Sequence, residues 1–381
     1  MKIGIVGNYG NDNNGDESIL YGILQQVKQT FSVTNDDITV FSNNTQQTSE
    51  RYGVHSYPLY YRKSNLVKTF IHTYKNNKEY VSTFDLLIIG GGGILMDFYK
   101  REAHLYGTYA MMAKRSNVPY VIYGCGAGPL DTLSGKVSIR MMCHYAANIS
   151  VRDPESKKLL ESIGVKKPIE IIGDPAFTLK KERHHYADKP VKIGVSAVPF
   201  YNANYWPEGD TKKYDAYVTG MAKNLDQVIA QHHTHITFFA TKFPQDVTVT
   251  KDIQKKMQYP DQTTIIGENL VPERLLEVAE TQDIIIGTRL HSLILATDAE
   301  TPIIAVSYHT KVQDFMSFVG ASDRCLQMQD IEKDEQALAT VVEKLSSNWQ
   351  QSIAETKQIA TQIHQEAMSG QELMKKAVKR L

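Results

Sequence analysis

Long apolar runs are the first thing missing from this 381-residue sequence. No stretch approaches the roughly 18 residues that a membrane-spanning helix needs, so none is expected. Cysteine is scarce. Cys125, Cys143 and Cys325 stand far apart, which excludes a paired-cysteine zinc pattern and a disulfide framework and suits a reducing compartment. Net charge is missing too. Lys plus Arg number 42 and so do Asp plus Glu, leaving no basic field of the kind that binds nucleic acid. No cluster has metal-ligand spacing, so no metal and no cofactor is expected. Short repeats and low-complexity segments are absent. Met1-Lys2 leads directly into an apolar stretch, which leaves no room for a signal peptide and gives a cytoplasmic expectation.

What is present is an ordinary globular composition, 42% hydrophobic and 22% charged. The length exceeds what one core usually holds, so two domains are expected. Apolar runs alternate with amphipathic helical ones. Strands are expected near 2–7, 37–42, 85–90, 118–124, 148–152 and 169–173, with helices at 16–31, 102–116, 134–147 and 154–163. Runs such as LLIIG and YVIYG are apolar without alternation, as parallel strands covered on both faces require. The polar stretch KKERHHYADKP near 180–190 interrupts the pattern. It then restarts, with strands at 191–197, 235–241, 263–266, 283–287 and 302–307 separated by helices. The expected organisation is a Rossmann-like domain at 1–180, a linker at 181–190, a second Rossmann-like domain at 191–345 and a helical tail at 346–381. The fold class is α/β, with two doubly wound sheets facing across a cleft. Ligands in such sheets bind at the carboxyl ends of strands, which tells where to look.

The first strand end carries GNYGNDNNGDES. Gly10 and Gly15 are spaced as in a phosphate-binding loop, but Asp16 and Glu17 stand where that loop has its cation and hydroxyl. Carboxylates repel phosphate and accept protons from hydroxyls. Together with the amides of Asn8 and Asn14, they suit a sugar or polyol. The plainer alternative is that Asp16 and Glu17 serve the helix N-terminus. Four glycines, Gly90 to Gly93, follow another strand. Either a ligand or another element must approach that backbone.

Arg152 ends a strand in SVRDPES, and a structural ion pair with Asp153 or a neighbour is its alternative reading. In IIIGTRLHSLILA, a strand ends at Gly287, and Arg289 and His291 stand at the mouth of an apolar helix. That is a ready anion site, unless His291 is simply a buried hydrogen-bonded residue. The next strand ends in Tyr308, His309 and Lys311. Two strand ends thus deliver Arg, His and Lys to one rim. Tyr205 and Trp206 in FYNANYWPEG either stack on sugar faces or pack a loop.

These motifs, with GDPAF at 173–177, give a chain that resembles the polysaccharide pyruvyl transferase family from residue 4 to about 315. The resemblance implies a fold similar to GT-B glycosyltransferases. It implies transfer of pyruvate from phosphoenolpyruvate to two hydroxyls of one sugar in a cell-wall or extracellular polysaccharide precursor, forming a ketal. Carried over by position, it implies a donor site of Arg152, Gly287, Arg289, His291 and Lys311. It implies an acceptor site of Asn8, Asn14, Gly15, Asp16, Glu17, Gly91 and Gly92. Arg152 and Arg289 would clamp carboxylate and phosphate, Lys311 would add charge, and His291 would be the general acid–base. It implies a sugar or a lipid-linked oligosaccharide as acceptor. The basic end MKKAVKRL suits peripheral contact at the inner face of the cell membrane, although a solvated helix end explains it as well. The alternatives are a GT-B glycosyltransferase using a nucleotide sugar and a non-catalytic sugar-binding protein. No signature sets an oligomeric state.

Overall fold

The computed structural model describes residues 1–98, 101–206 and 209–378. The chain divides into two compact units. Unit 1 holds Met1–Asn11, Asp16–Thr178 and Ile363–Leu381, and unit 2 holds Asp12–Gly15 and Leu179–Gln362.

Unit 1 is built on seven parallel strands: β1 (Ile3–Val6), β2 (Ile38–Ser42), β3 (His55–Pro58), β4 (Leu86–Gly90), β5 (Tyr120–Cys125), β6 (Asn148–Val151) and β7 (Ile169–Ile171). Their order is β3-β2-β1-β4-β5-β6-β7. The central strands β1, β4 and β5 are buried at every position, which is why their sequences do not alternate. The helices are α1 (Asn14–Phe31), α2 (Thr45–Tyr52), α3 (Leu66–Val81), α4 (Glu102–Arg115), α5 (Leu133–Tyr145) and α6 (Pro154–Ser162). In α1, Ile19, Leu20, Ile23, Leu24 and Val27 make one buried stripe at helical spacing. The α6 start is capped by the Asp153 side chain, which accepts from the Ser156 N–H at 2.6 Å, and Pro154 takes its first position.

Unit 2 has six strands: β8 (Lys192–Ser196), β9 (His235–Phe238), β10 (Thr263–Ile265), β11 (Ile284–Gly287), β12 (Ile303–Ser307) and β13 (Cys325–Gln327). Their order is β10-β9-β8-β11-β12-β13, again parallel. Its helices are α7 (Thr211–His232), α8 (Gln245–Lys256), α9 (Pro272–Glu280), α10 (Leu290–Asp298), α11 (Thr310–Phe318), α12 (Met328–Lys333), α13 (Ala337–Ser347) and the start of α14 (Trp349–Val378). Strand order reverses between β1 and β4 in one sheet and between β8 and β11 in the other. Those reversals are the two crevices where such sheets bind ligands.

Three boundaries differ from the sequence expectation. The 181–190 stretch is fastened to unit 2, because Arg183 is buried there. Its guanidinium donates to the carbonyl of Gln282 (2.5 Å) and to Thr301 Oγ1 (3.1 Å) and reaches Asp283 (3.4 Å). Residues 12–15 leave unit 1 for unit 2. The helical tail is a packed element. It buries Trp349, Ile353, Ile363, Ala367, Leu373 and Met374, and from Ile363 onward it belongs to unit 1. There Gln26 and Asn148 donate to the carbonyls of Ala367 and Leu373. Of the basic end, Lys379, Arg380 and Leu381 lie outside the described residues, as do Pro207 and Glu208 of the aromatic loop.

Candidate functional site

In unit 2 the crevice is stitched by Thr288. Its N–H donates to the Ser196 carbonyl (2.9 Å), and its hydroxyl accepts from the Val198 N–H (2.7 Å). This joins the ends of β11 and β8. The turn at Gly287 is tight, and a Cβ there would lie 2.5 Å from Ser292 Oγ. Arg289 then occupies the N-cap of α10 in an extended conformation. Its guanidinium is bidentate to Asp246, with Nε 3.0 Å from both carboxylate oxygens and Nη2 2.6 Å from Oδ1. Asp246 is fully buried. It also accepts from the backbone N–H groups of Thr241 (3.2 Å) and Lys242 (2.8 Å). Burial raises the pKa of the Tyr308 phenol, and the Arg289 charge opposes the rise. Phe200 and Trp206 pack on Tyr308 with centroids 5.6 and 5.5 Å away. Trp206 is therefore part of a packed cluster, while Tyr205 is exposed.

The opening loop joins this site. The Asn14 N–H donates to the Thr241 carbonyl (2.9 Å), and its side chain donates to Asn269 Oδ1 (3.0 Å). Asn269 in turn donates to Asp12 Oδ1 (2.9 Å). Gly15 lies against the imidazole of His291, where an added Cβ would sit 2.3 Å from Nδ1. Glycine is required by that contact. Asn14 and Gly15, read from sequence with the acceptor side, are therefore grouped with Arg289 and His291. Lys311 is in the first turn of α11, and its backbone N–H donates to His309 Nδ1 (3.2 Å). Burial and the Lys311 charge both lower the His309 pKa, so the ring stays a neutral cap acceptor.

Unit 1 presents a different edge. After β1, Asn8 donates to Asp16 Oδ2 (2.9 Å). Asp16 is 8% exposed. Burial pushes its carboxyl from 3.8 up to about 7, Glu17 and Asp174 add to the rise, and the Asn8 hydrogen bond and Arg152 oppose it. Glu17 is 1% exposed and differs from the sequence expectation. Its carboxylate accepts from the Gly10 N–H (2.8 Å) and the Tyr52 hydroxyl (2.7 Å), with Arg51 at 3.5 Å. These contacts tie the loop to α2. Gly91 and Gly92 adopt positive φ of 75° and 70°. Their neighbour is α1, since added Cβ atoms would meet Ile19 at 2.1 Å and Asp16 at 3.0 Å. Another element therefore approaches that backbone.

Arg152 belongs to unit 1 and Arg289 to unit 2. It pairs with Asp174 of the GDPAF motif at 2.9 Å and with Asp153 at 3.5 Å, and it covers Gly126, where a Cβ would lie 3.0 Å from its Nε. Beside Asp16 opens a pocket of about 560 Å³, solvent-side space included, lined by Asn8, Asn43, Tyr60, Arg101 and Glu102 among others. Arg101 donates to the Tyr60 hydroxyl (3.0 Å) and to Glu102 (3.3 Å). Neither Asn43, Arg101 and Glu102 of this pocket nor Asp246 is among the residues expected from sequence.

Among solved structures, Anabaena HepE, determined with UDP-glucose, is 12% identical with a TM-score of 0.65 over 100% of both chains. The Staphylococcus aureus MnaA–UDP structure is 13% identical, with a TM-score of 0.59 over 93% of this chain and 91% of that one. These likenesses show a fold of GT-B type. The amylovoran biosynthesis protein AmsJ of Erwinia amylovora is 22% identical over 379 residues, covering 87% of this chain and 89% of that protein. Residues 13–310 match the polysaccharide pyruvyl transferase family. That span takes in the Asp16 loop, the Arg152 strand end and the Arg289–His291 turn, and the chain belongs to the polysaccharide pyruvyl transferase family.

Proposed function

We propose that the protein transfers pyruvate from phosphoenolpyruvate to two hydroxyls of one sugar in a cell-wall or extracellular polysaccharide precursor, closing a ketal and releasing phosphate. The observation that carries this reading is the contact of Gly15 with His291 beside the Arg289–Asp246 pair. It brings two family motifs, far apart in the chain, to one strand edge.

Phosphoenolpyruvate carries a carboxylate and a phosphate, and the rim at Arg289 and Lys311 has the opposite charge. Asp246 already takes one edge of the Arg289 fork, so it orients the guanidinium for the donor. His291 delivers a proton to the methylene carbon, which becomes the methyl group. The resulting oxocarbenium-like carbon takes the first sugar hydroxyl, whose proton goes to a base. The carbon–oxygen bond to phosphate then breaks. The second hydroxyl adds, loses its proton and closes the ring. Asp16 suits the role of base, with a pKa near neutrality, and Glu17 does not, because its oxygens are engaged. In this reading, Arg152 is the cation that moderates the proton affinity of Asp16. No step calls for a cofactor.

The test is phosphate release from phosphoenolpyruvate with a panel of synthetic and lipid-linked disaccharides, alongside thermal shift. Phosphoenolpyruvate should raise the melting temperature more than UDP-glucose does. Greater protection by UDP-glucose, with no phosphate released, would overturn the proposal in favour of glycosyl transfer.

A further inference from the structure

We propose that the outer face of α3, α4 and α5 in unit 1 is a docking surface for an anionic lipid bilayer. The three helices pack side by side, α3 on α4 and α4 on α5. Among the described residues, more than half of the exposed large apolar side chains fall on them. Val67 is 67% exposed and Ile71 49% on α3, Met111 is 40% exposed on α4, and on α5 Leu133, Val137 and Met141 are 79%, 41% and 48% exposed. A groove of about 920 Å³, open to solvent, runs between α3 and α4 and reaches α5 at Ser138. Such a concentration of exposed apolar side chains on neighbouring helices marks an interaction surface.

Charge identifies the partner. The three helices carry seven Lys or Arg and two Glu, in a chain whose charges balance as a whole. Three of the cations lie over tyrosine rings: Lys114 is 3.0 Å from the Tyr145 centroid, and Arg115 and Lys78 are 5.6 and 5.9 Å from that of Tyr74. Long basic stems and tyrosines around an apolar centre are the chemistry of a water–lipid boundary. Protein–protein interfaces are depleted in lysine, so this face fits lipid better than a protein partner. No helix among the described residues is long and apolar enough to cross a membrane, so the contact is peripheral. Its position is apt. One side of α4, at Glu102, Leu105 and Tyr106, lines the Asp16 pocket, and another, at His104, Thr108 and Met111, lines the apolar groove. An acceptor held in a membrane would be presented next to that pocket.

The inference stands apart from the reaction proposed above, because its readout is binding. The full-length protein is sedimented with vesicles of phosphatidylglycerol or of phosphatidylcholine. Binding to the first should be strong and weaken with salt, and binding to the second should be weak. The V67D/L133D variant should bind phosphatidylglycerol at least tenfold more weakly. Each charge reversal in K136E/R140E should cost roughly fivefold or more. All four sites are at the surface, and unchanged melting temperatures verify the fold. K375E/K376E at the end of α14 should bind as the parent does. The proposal is overturned if that last variant alone loses binding, if both vesicles bind equally, or if the face instead holds a dimer that V67D/L133D dissociates in sedimentation velocity.

Discussion

The two sheets share a strand order and differ in what they deliver at its reversal. In unit 2 the β11 end supplies Arg289, followed by His291, with Lys311 after the neighbouring strand. In unit 1 the β1 end leads to buried Asp16 and Glu17. Each unit also ties one arginine to one buried aspartate: Arg289 to Asp246 and Arg152 to Asp174. In unit 2 that pair stands beside the phenols of Tyr308 and Tyr217, and in unit 1 among further carboxylates, Asp153 and Asp16. The fold therefore decides where a ligand is met, and a few side chains decide which charge meets it.

The largest effect should come from the imidazole of unit 2. His291→Gln keeps hydrogen-bonding capacity and loses the titratable proton, so phosphate release should fall by roughly 10²–10⁴-fold with donor affinity by calorimetry nearly unchanged. Near-normal turnover would remove His291 from the chemistry. Because a Cβ at residue 15 would press on the same ring, Gly15→Ala should lower turnover in the same assay, by a smaller factor.

Next in size is the arginine–aspartate pair. Arg289→Ala leaves Asp246 buried without its cation, which should cost about 3–5 kcal/mol in urea unfolding. Restoring charge with Arg289→Lys should recover part of that stability. Donor affinity should stay weak, because an ammonium cannot reproduce the fork. A loss of stability no greater than that of an exposed pair would break the likeness between the two units.

The carboxylate edge predicts a pH effect. Between about pH 4 and pH 7, folded Asp16 holds a proton that the unfolded chain releases. Its contribution is therefore full below that window and declines as pH rises through it, by as much as about 4 kcal/mol. Asp16→Asn should flatten that slope and raise stability at pH 8. An unaltered slope would show that Asp16 titrates as an ordinary carboxylate. The smallest effect concerns loop anchoring. Tyr52→Phe removes one hydrogen bond to buried Glu17 and should cost roughly 1–3 kcal/mol, with donor affinity preserved.

The core strands were legible because a parallel strand buried on both faces must be apolar throughout. β3 was not. It is HSYP, half exposed at a sheet edge, and has no apolar run to announce it. The α3 helix was missed with it, since three of its four buried positions, Thr69, Thr73 and Asn77, are polar. At the site, Arg289 and His291 stood out because they share one local motif. Asp246 did not, because its partner lies 43 residues away and nothing beside it in sequence signals the pairing. Glu17 looked like Asp16 on paper. Only the positions of Tyr52 and Arg51 separate a loop anchor from a group that faces a pocket.

The α14 helix also bears on the order in which the protein is made. Residues 1–178 leave the ribosome first, yet their sheet still lacks the partner that Gln26 and Asn148 bond on Ala367 and Leu373. Residues 12–15 likewise wait for Thr241 and Asn269. The half synthesised first is the half completed last. A nascent chain arrested before residue 363 should therefore hold a protease-sensitive amino-terminal half.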